Sequence, residues 1–481
     1  MNRIIIETMM GQNRIAVTRK DVLEHFFIER ETDVGNYGNI YLGKVEQIKP
    51  GMQCAFVNIG SDKNALLHVS DIEPNPGEWP IQKLLKQGQD LVVQVRKEEI
   101  DGKGGRLTTK YWLSGHFIVL LPTDNRVYVS KKIKDTPHVK MLKEEAQRLK
   151  DDDVGMILRT EAANVDFQLI EKEYRYLMQK WRRVNSKIHY PPKLLLKDKG
   201  PVLKTIRDYY TAEIDEIVLN EDTYLPEIED YFESYFPDQI DKIKVKRRLN
   251  LFGSLGIEEQ VKRLYARKVW LESGGYVIID KTEAFTVVDV NSGKFTGRKS
   301  QEETNMKINL EATEVIADQL RLRNISGIIL IDYINLNLDS SKERLLKKWR
   351  QMREKDKVSL TVVGFSDLSL LELTRKQQGK SISNINQQTC PMCNGSGHIY
   401  SQEEFFYRCL WKLDQDLSLL EQNRIKIVIS PYLKAVIDEM NYFQAGYTFD
   451  QMLEEFYNIS VQVEVSINQE FDQMILLPLN D

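Results

Sequence analysis

Two aspartates and one asparagine stand where apolar runs end. In AFTVVDVNSG (284–293) side chains alternate between faces, so Asp289 and Asn291 project to one side of the strand end and Val288 and Val290 to the other. In GIILIDYINL (327–336) the apolar run from Ile328 to Ile331 reads as buried strand and delivers Asp332 at its far end, where a neighbouring strand could bring it beside Asp289. Two carboxylates and an amide oxygen, with no imidazole or thiolate, form a hard-oxygen site suited to Mg²⁺ or Mn²⁺. Such an ion would activate water and stabilise a phosphoryl transition state. Lys294, Arg298 and Lys299, in GKFTGRK (293–299), add the countercharge that a phosphodiester needs. The bland alternative is that Asp-x-Asn-Ser-Gly is an ordinary strand-to-turn ending, and spacing alone leaves both readings open.

A second constellation is TCPMCNGSGH (389–398). The chain has four cysteines. Cys54, in the apolar run QCAFVNIG, and Cys409, in an amphipathic helical pattern, read as small buried hydrophobes, which leaves Cys390 and Cys393 as the close pair. A structural zinc takes four ligands and one chain offers these two; His398 is a candidate third. A redox Cys-x-x-Cys is the rival, but no thioredoxin-like strand-to-helix context surrounds it, and Pro391 with Gly395 and Gly397 favours a metal-binding turn.

These groups sit in a chain of 481 residues, 42% of them hydrophobic, which implies several cores, since single cores stop growing at roughly 250 to 300 residues. Four cysteines exclude a disulfide scaffold, and no run approaches the ~18 apolar residues of a membrane span. MNRIIIETMMGQNR lacks a small-residue cleavage site, so a reducing cytoplasm is the expected location. The net charge of −4 does not advertise a nucleic-acid binder, yet basic residues cluster in KWRR (180–183), KIKVKRR (242–248) and GKFTGRK. Any polyanion site must therefore be local.

The elements that would position these residues follow from texture. Residues 4–30 suggest a small antiparallel meander, too little to fold alone. From Gly35 onward, NIYLGKVEQI, QCAFVNIG, NALLHVSDI, LVVQVRKEEI and RLTTKYWL make five short strands that suit a small OB barrel. Residues 117–190 mix strands with helices near 138–149 and 166–187. LLLKD, EIVLN and KIKVKR alternate with helices from Pro201 and over 225–236 as a further α/β unit, with Pro191-Pro192 as the seam. GGYVIIDKTEAFTVVDVNSG reads as a hairpin; a helix over about 303–323, GIILIDYINL, a helix over 340–356 and SLTVVGFS continue it as an α/β sheet. Beyond the cysteines lie a helix and a small α/β tail.

Taken in order, FTVVDVNSG, NLEATEVIADQLRLRNISGIILIDYINL, SLLELTRKQ and CPMCNGSG closely resemble the catalytic core of the ribonuclease E/G family. Upstream, GNIYLGKVEQIKPGMQCAFVNIGSDKNALLHVSDI resembles that family's inserted OB-type RNA-binding module, and VGMILRTEA its 5′-end sensor. The length is that of the family's short form, in which the long disordered C-terminal extension is absent.

The resemblance implies that Asp289 and Asp332 hold a catalytic Mg²⁺ with Asn291 in support. The implied reaction is hydrolysis of single-stranded, A/U-rich RNA to 5′-phosphate and 3′-hydroxyl ends. Arg159 and Thr160 would grip a 5′-monophosphate, a guanidinium fork and a hydroxyl being apt donors. The loop before Ser130, TDNRVYVSKK, lacks the family's usual glycines, and a strand-end arginine in an ion pair is the plain alternative for Arg159. Phe56 would stack on RNA, with barrel core as its alternative, and Lys103 in DGKGGR would meet the backbone. Leu66 stands where a second phenylalanine is typical. Cys390 and Cys393 would share one Zn²⁺ across a homodimer, with a homotetramer as a dimer of such dimers.

The implied architecture is a multidomain α/β and β protein. A ribonuclease H-like domain (1–34 and 201–264) is split by an OB-fold RNA-binding domain (35–115) and a 5′-sensor region (116–200). A deoxyribonuclease I-like α/β catalytic domain (265–385), a zinc link (386–400) and a small C-terminal α/β domain (401–481) follow. The expected activity is that of an endoribonuclease acting on ribosomal RNA precursors and messenger RNA. The alternative is a non-catalytic RNA-binding factor of ribosome assembly on the same fold.

Overall fold

The computed structural model describes residues 1–30, 35–75, 78–98, 104–130, 133, 136–185, 190–198, 200–293, 301–336, 338–377, 379–417, 424–439, 448–468 and 474–479. Two compact units divide the chain, Met1–Gln387 and Gln388–Asp481.

The chain opens with β1 (Arg3–Met9), β2 (Gln12–Arg19) and β3 (Val22–Arg30), antiparallel neighbours in sequence order. The barrel strands are β4 (Ile40–Lys49), β5 (Cys54–Asn58), β6 (Ala65–His68), β7 (Asp90–Lys97) and β8 (Arg106–Thr108). Then come β9 (Leu113–Ser114), β10 (Ile118–Leu121), β11 (Val127–Val129), β12 (Gly155–Leu158), β13 (Lys193–Leu196), β14 (Glu216–Leu219) and β15 (Ile243–Val245). A second α/β sheet is built from β16 (Lys268–Trp270), β17 (Tyr276–Lys281), β18 (Phe285–Asn291), β19 (Gly327–Asp332), β20 (Leu360–Phe365) and β21 (Leu371–Arg375), and the tail from β22 (Arg424–Ile429), β23 (Ser460–Val465) and β24 (Met474–Pro478).

The meander does not stand alone. Its sheet runs β15-β14-β1-β2-β3, with β14 parallel to β1, so the first strands are completed by a segment two hundred residues later. Ile4, Ile5 and Ile6 are all buried, the continuous apolar run needed by a strand that is covered on both faces. Ile4 and Ile6 face one core, while Ile5 packs with Phe252 and Val218 in another.

The barrel order is β4-β5-β6-β8-β7, and β7 pairs back onto β4 to close it. Val45, Ala55, Val57, Leu67, Val93, Val95 and Leu107 fill its interior. Asp71, almost fully buried, receives Arg106 at 2.6 Å and also Arg96, and its backbone carbonyl takes the Thr108 hydroxyl at 2.8 Å, tying β8 into the wall. LLLKD departs from expectation: β13 joins the outside of β4, not the α/β sheet. A short apolar strand pairs with whichever edge the fold presents, and periodicity carries no information about which edge that is.

In the sheet β11-β12-β10-β9, the buried Glu173 of helix Phe167–Asn185 accepts the backbone N–H groups of His116, Phe117 and Ile118 at 2.5, 2.7 and 2.9 Å. Burial pushes its carboxyl up against the pull of those donors. In the second unit β22 lies between β23 and β24, backed by helices Gln402–Leu417, Pro431–Glu439 and Phe449–Tyr457, with Cys409 buried in that core.

Candidate functional site

The second α/β sheet has order β16-β17-β18-β19-β21-β20. Val288, Val290, Ile329 and Ile331 point into a core shared with helices Gln301–Leu322 and Asp339–Lys355. The alternate residues therefore face away from those helices, and they include Asp289, Asn291 and Asp332. Parallel pairing of β18 with β19 sets Asp289 directly opposite Asp332. Both are exposed, and Asn291 Nδ2 donates to Asp289 Oδ2 at 2.8 Å, fixing that carboxylate's orientation.

The two residues that follow Asp332 are held by a buried polar network. The Tyr333 hydroxyl lies 2.6 Å from the Thr313 hydroxyl and accepts from Trp349 Nε1 at 2.9 Å. Asn309, fully buried one turn before Thr313, donates to the carbonyl of Ile334 at 2.9 Å and accepts its N–H at 3.1 Å. Every buried polar group here has a partner, which makes such a network rigid. Sequence reasoning missed these four residues. Asn and Thr spaced by four on one face of NLEATEVIAD were the available signal.

The turn after β18 requires glycine. Gly293 has φ +58°, and a Cβ there would lie 2.4 Å from the Gly274 carbonyl oxygen. Lys294, Arg298 and Lys299 follow it and, like Lys103, lie outside the described residues.

On the barrel, Phe56 is half-buried on the outer face and not in the core. Its neighbour across β6 is Leu66, and Leu66 in turn pairs with Arg106 of β8, giving a row of aromatic, aliphatic and guanidinium groups. Arg106 ends the glycine-rich stretch DGKGGR, which contains Lys103.

Arg159 is engaged. Its Nη1 donates to the Gly115 carbonyl at 2.6 Å and its Nη2 to Asp208 Oδ1 at 2.6 Å. Burial would raise the Asp208 carboxyl, but Arg207 and Arg159 outweigh it and hold it well below the usual carboxylate range. The Thr160 and Ser130 hydroxyls lie 3.5 Å apart beside this pair. Arg159 thus forms an ion pair with Asp208 as the chain stands.

Cys390 is exposed and Cys393 partly so. Asn394, Gly395 and Gly397 all take positive φ, and the N–H groups of Gly397 and Gly395 turned towards Cys393 lower its thiol pKa. That is the wrapped backbone a thiolate ligand uses. Among the described residues no three His, Cys, Asp or Glu side chains stand close enough to hold a metal.

Comparison with known proteins gives the family. The model of the ribonuclease E/G family matches residues 112–378. Ribonuclease G of Escherichia coli (strain K12) is 33% identical over 98% of this chain and 99% of its own length, and ribonuclease G of Haemophilus influenzae is 31% identical over the same shares. Ribonuclease E of Nostoc sp. is 34% identical over 75% of this chain and 54% of its own length. With the strand-end carboxylates, the closed barrel and a match of this extent together, the chain belongs to the ribonuclease E/G family.

Proposed function

We propose that this chain, an endoribonuclease by family, hydrolyses single-stranded, A/U-rich RNA in a magnesium-dependent reaction that leaves 5′-phosphate and 3′-hydroxyl ends, in ribosomal RNA processing and messenger RNA decay. The supporting observation is the Asp289–Asp332 rung with Asn291 hydrogen-bonded to it, exposed on one face. Two carboxylates and an amide, without sulfur or imidazole, fit a hard divalent cation. When bound, the ion supplies Lewis-acid stabilisation of the phosphate's developing charge and lowers the pKa of water.

The chain's own groups do the positioning. Asn291 fixes one oxygen of Asp289, and the Asn309–Tyr333 network fixes the backbone that carries Asp332. With water as the attacking group, the ribose 2′-hydroxyl takes no part. Phe56 and Lys103 would hold the single strand through stacking and countercharge, with Lys294, Arg298 and Lys299 near the cut. Arg159 and Thr160 would receive a 5′-monophosphate when Arg159 turns part of its fork from Asp208.

The domain division set out above is part of the same reading, as is a Zn²⁺ shared by Cys390 and Cys393 of two chains in a homodimer, pairing further into a homotetramer. Among the described residues no helix is long and apolar enough to cross a membrane. Cytoplasmic location is proposed with the RNA substrates.

The test is cleavage of a 5′-monophosphorylated, A/U-rich oligonucleotide with Mg²⁺, by wild type and by Asp289→Asn and Asp332→Asn. Cutting by wild type alone is expected. RNA bound but left intact by all three would make the chain an RNA-binding factor instead.

A further inference from the structure

The row that contains the acidic rung continues to the edge of the sheet. Lys268 on β16 pairs with Ile278, Ile278 with Asp289 and Asp289 with Asp332, so all four share one face. The adjoining row runs Trp270, Tyr276, Asn291. Val269, between Lys268 and Trp270, turns the other way and packs on the buried core, which confirms the facing.

Three side chains gather at that edge. The Lys268 ammonium lies 3.9 Å from the Trp270 ring centroid and 3.7 Å from that of Tyr276, and the two rings meet edge to face at 5.4 Å. Trp270 is 63% exposed. Lysine on an edge strand often serves only to block pairing with another sheet, but an exposed indole beside it works against that protection. With the ammonium over one face of the indole, the exposed remainder of the ring instead offers a single-stranded nucleotide a surface for its base and a charge for its phosphate.

We infer that Trp270, Lys268 and Tyr276 form a nucleotide-stacking platform that receives a base of the RNA substrate close to the bond being cut. This rests on the nuclease reading above. Two strand spacings separate Trp270 from Asn291, ~10 Å, the reach of one or two nucleotides. The occupant is RNA and not a second protein because the face is continuous with the acidic row, and a protein seated on it would cover Asp289. Stacking reads no base edge, so the platform favours unpaired strands without a fixed sequence.

The test uses the full chain with Mg²⁺ and a fluorogenic, 5′-monophosphorylated A/U-rich oligonucleotide, intact or with single abasic sites within two nucleotides of the cut. Trp270→Ala should raise KM about 5- to 150-fold with a far smaller change in kcat, and Trp270→Phe should recover most of it. One abasic position should weaken the wild type yet add nothing in Trp270→Ala. Lys268→Gln should reduce the slope of log KM against log salt by about 0.7, one phosphate contact on a single strand. KM within twofold of wild type for Trp270→Ala, or an abasic penalty that is the same in both proteins, overturns the platform. If Trp270→Ala changes sedimentation while KM stays put, the face is a contact between copies and the inference is equally wrong. Should wild type cut nothing, the nuclease reading is what fails; fluorescence anisotropy with the same oligonucleotides then decides the platform, unchanged affinity in Trp270→Ala refuting it.

Discussion

Asn309 holds the backbone of Ile334 in both directions, Nδ2 giving to its carbonyl at 2.9 Å and Oδ1 taking its N–H at 3.1 Å. The long helix is thereby bound to the chain two residues beyond Asp332. Asn309→Leu, which keeps the branching and replaces the amide O and NH2 by methyl groups, strands two backbone groups at about 1 to 3 kcal/mol each. Urea unfolding should show a loss of about 2 to 6 kcal/mol, and kcat should fall under conditions where the fold persists. Wild-type kcat in a folded Asn309→Leu protein would remove the clamp from the account of the site.

Asp208 occupies the guanidinium that a 5′-phosphate would use. Asp208→Asn keeps the shape and removes the charge. The ratio of kcat/KM for 5′-monophosphorylated over 5′-hydroxyl RNA should rise about 10-fold, ~1.4 kcal/mol of binding released. Stability should drop, because Arg207 is buried and loses its ionised partner. An unchanged ratio would separate Arg159 from end sensing.

Phe56 and Leu66 are cross-strand neighbours on the barrel's outer face. Phe56→Ala should weaken single-stranded RNA binding about 5- to 150-fold at fixed salt, and Leu66→Phe should tighten it by supplying a second ring. Anisotropy titrations measure both. Equal affinities across the three proteins would move the RNA elsewhere on the barrel.

The cysteine pair has no third ligand of its own type among the described residues. Purified protein should contain one zinc for every two chains. Cys390→Ser, or a strong chelator, should release the metal and shift sedimentation towards monomer. A stable dimer without zinc contradicts the shared site.

Glu29 lines a cavity of about 620 Å³ with Asn13, Tyr176, Lys197 and Tyr224. Burial raises its pKa to about 7, above the ordinary 4.5, against a hydrogen bond from Asn13 that lowers it. The folded state therefore binds this proton more tightly than the unfolded chain. The associated stability is fully present below about pH 4.5 and is lost as pH rises through 7. Glu29→Gln, permanently neutral, should flatten that fall, and its melting temperature at pH 8 should exceed that of wild type. A variant that tracks wild type from pH 5 to pH 8 would show that Glu29 titrates normally.

Much of this was legible in one dimension. Alternation along AFTVVDVNSG placed Asp289 and Asn291 on one side, and the hairpin, the paired helices and the short barrel strands follow from local period and turn residues. The Asn309 clamp was not legible, because a buried asparagine on a helix looks the same as a solvated one until its partner is known. Nor was the fate of LLLKD, since a short strand with three leucines suits any open edge. The engagement of Arg159 by Asp208 depends on residues 49 apart meeting through a helix and a strand end.

By itself, then, the sequence determined which residues carry oxygen, sulfur and positive charge, and which way each faces along its own strand or helix. Those properties are set by covalent chemistry and by backbone periods of 2 and 3.6, which act over a few residues. Only the tertiary structure decided which strands become neighbours. Parallel pairing of β18 with β19 puts Asp289 beside Asp332, and antiparallel pairing with β17 and then β16 extends that row to Lys268. Strand register is chosen by the burial of whole faces against distant helices, a collective energy that no short stretch of sequence contains.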